Sequence, residues 1–534
     1  MKSIALFLLC SAMLVAQRDP HPSAVSERPV TLYSGMGTWR HPIETRSPLA
    51  QKYFDQGLAL VYGFNRYEGL RSFRKAAELD PQAPMAYWGI SFALAPYINM
   101  DGDPSVDIKE SCGALDKGLA LKEASATERA YLEAAATRCP DFSDPQRYVR
   151  AARDLASRYP DDPDAQVLYA ESLMIPTRWH WYSGDGTPAE GVAEAERVLE
   201  GVLRRNPAHP GANHFYIHAV ESSPTPERAI ASSERLMGIV PGAGHVVHMP
   251  AHIWLVLGDF ETAATVNQRA AEVDRKYFVQ TGVNGSYYMY YLHNLDFILY
   301  ARMMQGRLTE TRKAAAQLRE AAAPMIGAMP EMAGLFDAIG IMSELRSYRW
   351  NDLIAAPRPT SKNPTSVAMW HYARAFSLAS KGQTDEAKQE SEQFERSRSS
   401  VDRDAPWIVN KTGDILDLAA ATLAARLASS PVDAVPLWQK AVALQDALTY
   451  DEPPAWHYPI RESLGAALLR AGDASGAETV FREGLRRSPR NGRMLFGLLE
   501  SLKAQNKAGA VAWVQREFDA AWKGADIELR LSDL

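Results

Sequence analysis

Residues His214–Glu221, HFYIHAVE, and His248–Trp254, HMPAHIW, read as two copies of one pattern. His214 and His248 lie 34 residues apart, and so do His218 and His252. A fixed period of this length marks helix pairs stacked into a solenoid, because one pair alone cannot bury its apolar face. Inside each copy the spacing is helical. His214, His218 and Glu221 stand at i, i+4 and i+7, and His245, His248 and His252 at i, i+3 and i+7, so each set shares one helix face. With His293 these make six of the chain's twelve histidines within 80 residues of 534, where an even spread would leave about two.

Working outward, the same unit recurs. In AQKYFDQGLALVYGFNRYEGLRSFRKAAELDP (Ala50–Pro81), Phe73, Ala76 and Pro81 take the places of a repeat's second helix. Gly57 and Gly69 are small where the paired helices come closest, and Pro81 stops the helix. Arg129–Pro160 gives another pair, and 163–209 a pair stretched by the turn-forming segment PTRWHWYSGDGTPAEG. Units 210–243 and 244–277 are the most regular. A second insertion, 278–291, carries Tyr287, Tyr288, Tyr290 and Tyr291. Spacing resumes at HNLDFILYARMMQGRLTE and returns in 368–401, 415–448 and 458–491, with 492–522 as a polar cap. The expected fold is all-α: a tetratricopeptide (TPR)-like α-solenoid, a right-handed superhelix of about eleven helix pairs. Its segments are a signal peptide (1–16), an irregular leader (17–48), N-terminal repeats (49–162), central histidine-bearing repeats (163–325, with insertions 176–189 and 278–291) and C-terminal repeats with a capping helix (326–534).

The ends and the composition set limits. MKSIALFLLCSAMLVAQ places one Lys before an apolar run, Ile4–Val15, that is too short to span a bilayer and ends near Ala16. It reads as an export signal, so the mature chain is expected in the periplasm or outside the cell. A lipoprotein at Cys10 is disfavoured, since Leu9 stands where a small residue is needed. No other run is long enough for a membrane span. A net charge of −6 offers no basic footprint for nucleic acid. Cys112 and Cys139 remain after the signal and invite a disulfide in an oxidising compartment, two buried thiols being the alternative.

If the repeats are in register, the histidines project from the first helices of their units, which in TPR proteins line a concave groove. Neutral imidazole is the commonest metal ligand, so His214, His218, His245, His248, His252 and His293 with Glu221 are candidate ligands. Glu171 and Asp296 fall at groove-facing places as further acceptors. Six imidazoles exceed one tetrahedral site, and imidazole with carboxylate suits zinc, copper, iron or nickel alike. HFYIHAVE is not HExxH, which argues against a metalloprotease, and no Gly-x-Ser-x-Gly accompanies the histidines. His209, in a turn before Pro210, and His371, on a core-facing side, read as structural. Trp179, Trp181, Tyr287 and Tyr288 could form a lid over the groove, and Pro250 should kink its helix. Asp451, Glu452, Trp456, His457 and Arg461 in DEPPAWHYPIRESLG form a second constellation that a capped helix start explains equally well. Two functions stay open. One is a metalloprotein, as a binder or an enzyme, taking a small molecule in the groove. The other is a metal-free scaffold for a peptide or protein.

YFDQGLALVYGFN, HPGANHFYIHAVESSPTPERA, PGAGHVVHMPAHIW and EPPAWHYPIRESLGAAL resemble a group of secreted bacterial TPR-repeat proteins of unassigned activity. The resemblance runs from about His41 to Trp522 and implies the solenoid and a secreted origin, but no reaction. Members often have a histidine where this chain has Arg66.

Overall fold

The computed structural model describes residues 28–100, 108–282 and 285–534. The expected signal peptide and the start of the leader lie outside the described residues. The described residues are 69% helical. Among the described residues the only paired strands are Pro406–Trp407 and Asn410–Lys411, a minimal antiparallel hairpin. The all-α TPR-like class is thus the observed one.

Two compact units divide the chain. The first holds the described residues up to Ile253 together with Val266–Asn294; the second holds Trp254–Thr265 and Leu295–Leu534. Helices of the first region are α1 (Pro48–Tyr62), α2 (Arg66–Leu79), α3 (Pro84–Leu94), α4 (Ile108–Ala120), α5 (Ala126–Ala136), α6 (Pro145–Arg158), α7 (Pro163–Met174), α8 (Val192–Arg205), α9 (Pro210–Glu221), α10 (Ile230–Ile239) and α11 (Gly244–His248). The helices α12 (Pro250–Val256), α13 (Phe260–Thr281) and α14 (Gly285–Met304) follow. The tyrosine-bearing insertion is therefore largely helical and lengthens α13 and α14. The insertion at 176–189 stays irregular, with one bridge between Tyr182 and Pro188.

Sequence explains the helix ends. Pro163 and Pro210 sit in the first turns of α7 and α9, where a missing N–H costs nothing. Asp162 caps α7 by accepting from the N–H groups of Asp164 and Ala165. Pro250 ends α11 at His248 and starts α12, so His252 leaves its helix on a different course from His218.

Packing follows one rule at both ends of the array. Phe73 is fully buried between Gly57 and Gly89, where an added Cβ would fall 2.7 Å and 2.3 Å from its ring. Phe481 in the second unit is held in the same way by Gly465 and Gly497, at 2.5 Å and 2.1 Å. Each phenylalanine stands 16 residues from both of its glycines. The aromatic ring of one helix thus fills the space left by glycines on the helices before and after it. Gly69 lies against the Gly57 carbonyl, 3.1 Å from its notional Cβ, which lets α1 and α2 approach closely.

The leader is bound to the first unit by carboxylates. Tyr33 Oη donates to Glu68, the Glu44 N–H to Glu128, the Arg46 N–H to Asp80 and His41 Nδ1 to Asp164. Cys112 on α4 and Cys139 after α5 are joined as a disulfide, with Cα atoms 5.9 Å apart.

In the second unit the helices run α15 (Leu308–Ala328), α16 (Ala333–Arg346), α17 (Trp350–Ala355), α18 (Pro364–Ser380), α19 (Thr384–Arg398), α20 (Thr412–Arg426), α21 (Pro431–Asp446), α22 (Arg461–Arg470), α23 (Ala474–Arg487), α24 (Gly492–Ala504) and α25 (Ala508–Ala521). A core around Tyr372, Phe394, Ile415, Leu416 and Trp456 joins α16 to α22, and a smaller one around Phe481 joins α23 to α25.

Candidate metal centre

His214, His218 and Glu221 project from α9, His245 and His248 from α11, His252 from α12 and His293 from α14. All six histidines converge within the first unit. Ring centroids lie 5.0 Å apart for His214–His218 and for His214–His245, 4.7 Å for His248–His252 and 4.8 Å for His248–His293. They do not line an open groove. His214, His218, His245, His248 and His252 are all between 0 and 3% exposed, and His293 is half-buried. The helix face carrying the imidazoles is covered by other chain segments.

Hydrogen bonds fix how the rings are turned. His214 Nδ1 donates to the carbonyl of Tyr62. His218 Nδ1 donates to Glu221 Oε1 at 2.9 Å, and His252 Nδ1 to Glu221 Oε2 at 2.6 Å. His248 Nδ1 is 2.6 Å from Asn267 Oδ1 on α13. Nδ1 faces an acceptor in four rings, which turns their Nε2 atoms toward a shared space. His214 Nε2 and both ring nitrogens of His245 meet no hydrogen-bond partner. His248 Nε2 and His252 Nε2 face each other at 2.7 Å. Buried polar atoms are normally paired, so the orphaned nitrogens of His214 and His245 mark a site shaped for something else.

Electrostatics agrees with that chemistry. Burial, then the charges of neighbouring histidines, holds His214, His245 and His248 well below the ordinary imidazole range. His293 is lowered from 6.5 to about 3 by the same causes. Neutral imidazole is the form that binds a metal ion. Two sets of three histidines, His214–His218–His245 and His248–His252–His293, each bring their nitrogens within 4.8 Å of one another. A third grouping, His218–Glu221–His252, is the hydrogen-bonded carboxylate bridge already described.

Other candidate residues lie apart from this cluster's hydrogen bonds. Glu171 is 1% exposed on α7 and neither of its oxygens meets a donor. Burial raises its pKa, and the charges acting on it belong to Arg66, Arg138 and Arg178 rather than to the histidines. Asp296 accepts from His457 Nε2 at 3.0 Å within the second unit, so its role is that partnership. Arg66 spends its guanidinium on the carbonyls of Ala93 and Ala95 at the end of α3. His209 caps α9, accepting from the Ala212 N–H, and its Nε2 lies 3.1 Å from Asp164. His371 pairs with Glu390. A fourth metal-capable grouping, His41–Asp162–Asp164, serves the leader and the α7 cap, with Asp164 also accepting from Tyr62 Oη at 2.6 Å.

Aromatic rings, some of them expected and some not, lie against the cluster. Trp181 is buried, donates to the Met174 carbonyl and lies 6.0 Å from the His218 ring, with Trp179 stacked on it. Tyr287 donates to Asp274 and accepts the His245 N–H, and Tyr288 packs on Phe278 and Tyr291. The Tyr290 ring lies 4.3 Å from that of His245. Phe64 covers three rings at once: His214 at 4.4 Å, His245 at 4.9 Å and His218 at 5.7 Å. Its backbone is left-handed, φ 59°, an uncommon conformation for a residue with a Cβ. The sequence carried one signal for it, the Gly-Phe pair that closes YFDQGLALVYGFN.

No family model matches the chain, and no curated protein matches it. Solved structures with similar helical arrays include a human IFIT1 dimer with m7Gppp-AAAA, at 13% identity over 91% of this chain and 92% of that one, TM-score 0.35. Yeast Tom70 matches at 13% identity over 88% and 89%, TM-score 0.29. The P58(IPK) TPR domain matches at 12% identity over 86% and 99%, TM-score 0.21. The TPR-like architecture stated above rests on the helices and the repeat spacing of this chain itself.

Proposed function

We propose that this chain is an exported TPR-like repeat protein whose first unit binds a transition metal through its buried histidine cluster. One observation carries the reading. Imidazoles are turned by Tyr62, Glu221 and Asn267 so that their remaining nitrogens face a shared space, and His214 Nε2 and both nitrogens of His245 find no partner inside the protein. Fixing the far nitrogen of a ligand histidine with a carboxylate or carbonyl is how metal sites orient their ligands and raise their basicity. The donor set suits zinc, copper, iron or nickel.

A metal-free peptide groove fits less well, because an extended peptide needs exposed side chains and these are buried. A buried centre admits a small molecule, and catalysis on one is the enzymatic form of this proposal. Export is supported by the N-terminal apolar run and by the Cys112–Cys139 bridge, which suits an oxidising compartment. No helix among the described residues is long and apolar enough to cross a membrane.

Elemental analysis of protein purified without a histidine tag tests the reading. One or more equivalents of a transition metal, lost when His218 and His252 are both changed to Ala, is the expected result. Protein that takes up no metal after reconstitution, or a folded double variant that keeps its full content, contradicts it.

A further inference from the structure

The histidines fall into two sets, not one. His214, His218 and His245 come together beneath Phe64, and His248, His252 and His293 come together beside Asn267. Each set offers three imidazoles, the ligand number that leaves a transition ion an open position. The sets are neighbours: ring centroids are 5.4 Å apart for His218–His252 and 5.4 Å apart for His245–His248. One ion cannot use six imidazoles spread in this way, and a purely structural role for the first set leaves buried nitrogens without partners. In the first set these are His214 Nε2 and both nitrogens of His245. In the second, the Nε2 atoms of His248 and His252 are only 2.7 Å apart.

Glu221 connects the sets. One oxygen orients His218 of the first, and the other orients His252 of the second. A single carboxylate therefore sets the Nε2 direction in both, and its one negative charge is shared between them. We propose that the cluster is a two-ion centre, with His214, His218 and His245 holding one transition-metal ion and His248, His252 and His293 holding the other. This rests on the metal-binding reading above and adds the number of ions and the ligands of each.

Two cations among neutral rings and one carboxylate leave a positive excess in a buried space. A small anion or a polar molecule with a lone pair, placed between the ions, is the ligand such a centre would take.

The test is metal stoichiometry in the full chain. Metal-free protein is loaded separately with Cu2+ and Zn2+, passed through a desalting column and analysed, alongside His245→Ala and His293→Ala. Two equivalents of copper in the unaltered chain, and one in each variant, is the expected result. In the copper-loaded unaltered chain the electron paramagnetic resonance signal should fall well below that of two isolated Cu2+ ions, through coupling between near neighbours, and each variant should regain the signal of a single ion. One equivalent in the unaltered chain overturns the two-ion assignment and leaves the metal-binding reading standing. No uptake of either metal overturns both. If His245→Ala does not fold, as judged by circular dichroism, His245→Asn replaces it, and the stoichiometry and coupling of the unaltered chain decide the question without any variant.

Discussion

His218 and His252, one on α9 and the other past the proline break of α12, donate to opposite oxygens of the same carboxylate, Glu221, at 2.9 Å and 2.6 Å. That carboxylate is 2% exposed, so the two bonds are made away from water and are strongly directional. Replacing Glu221 by Gln keeps the shape but offers one acceptor oxygen and one amide group to two ring N–H donors. One imidazole must then turn or change tautomer. Metal affinity is expected to fall by about 10- to 100-fold, measured by competition with a chromophoric chelator. Unchanged affinity would remove Glu221 from the account.

Asn267 gives a parallel test on the other side. His248 must donate from Nδ1 for its Nε2 to reach a metal, and this requires the Asn267 oxygen, not its amide nitrogen, to face the ring. Asn267→Asp fixes an acceptor there and should hold or strengthen metal binding. Asn267→Leu removes it and should weaken binding by about 10- to 100-fold. Equal affinities in the two variants would contradict the assigned tautomer.

Acid should destabilise the metal-free first unit. The depressed histidines accept protons more readily once unfolded, so the unfolded state binds more protons below its pKa of about 6.5. Stability is therefore intact above that pH and is lost progressively as pH falls toward the folded values, about 3 for His293. Chemical denaturation of the metal-free chain between pH 7 and pH 4 should show midpoints falling steadily. Metal should raise the midpoint at pH 7 and be released on acidification, since protons compete for the same nitrogens. A midpoint that rises as the pH is lowered would contradict the neutral-histidine description.

Repeat packing can be probed far from this chemistry in sequence. Phe481, wedged between Gly465 and Gly497, should cost about 3–5 kcal/mol of second-unit stability when changed to Ala. Metal stoichiometry should not change, because every proposed ligand belongs to the first unit. Loss of metal in a folded Phe481→Ala chain would argue against that separation.

The 34-residue period made much of this legible. It placed His214, His218, His248 and His252 on equivalent helix positions, and helix periodicity added Glu221 to the same face. What it could not give was packing across distant segments. Asn267 meets His248 only because α13 returns beside α11. Helical phase decides which tyrosines reach His245: Tyr287 and Tyr290, three residues apart, share a face, and Tyr287 accepts the His245 N–H while the Tyr290 ring lies against its imidazole. Asp296 held an expected repeat position, yet its partner, His457, lies 161 residues away. Burial was missed for the same reason, because register tells which face a residue shares but not what covers that face. Phe64 covers part of it through a left-handed backbone that no periodicity encodes.

The central claim is that imidazole nitrogens hold metal in this chain. X-ray absorption at the edge of the bound metal reads that directly. The account predicts a shell dominated by nitrogen near 2.0 Å with the outer-shell scattering of about three imidazole rings per ion. A shell of oxygen or sulfur without imidazole scattering, or a folded chain that retains no ion to measure, would contradict it.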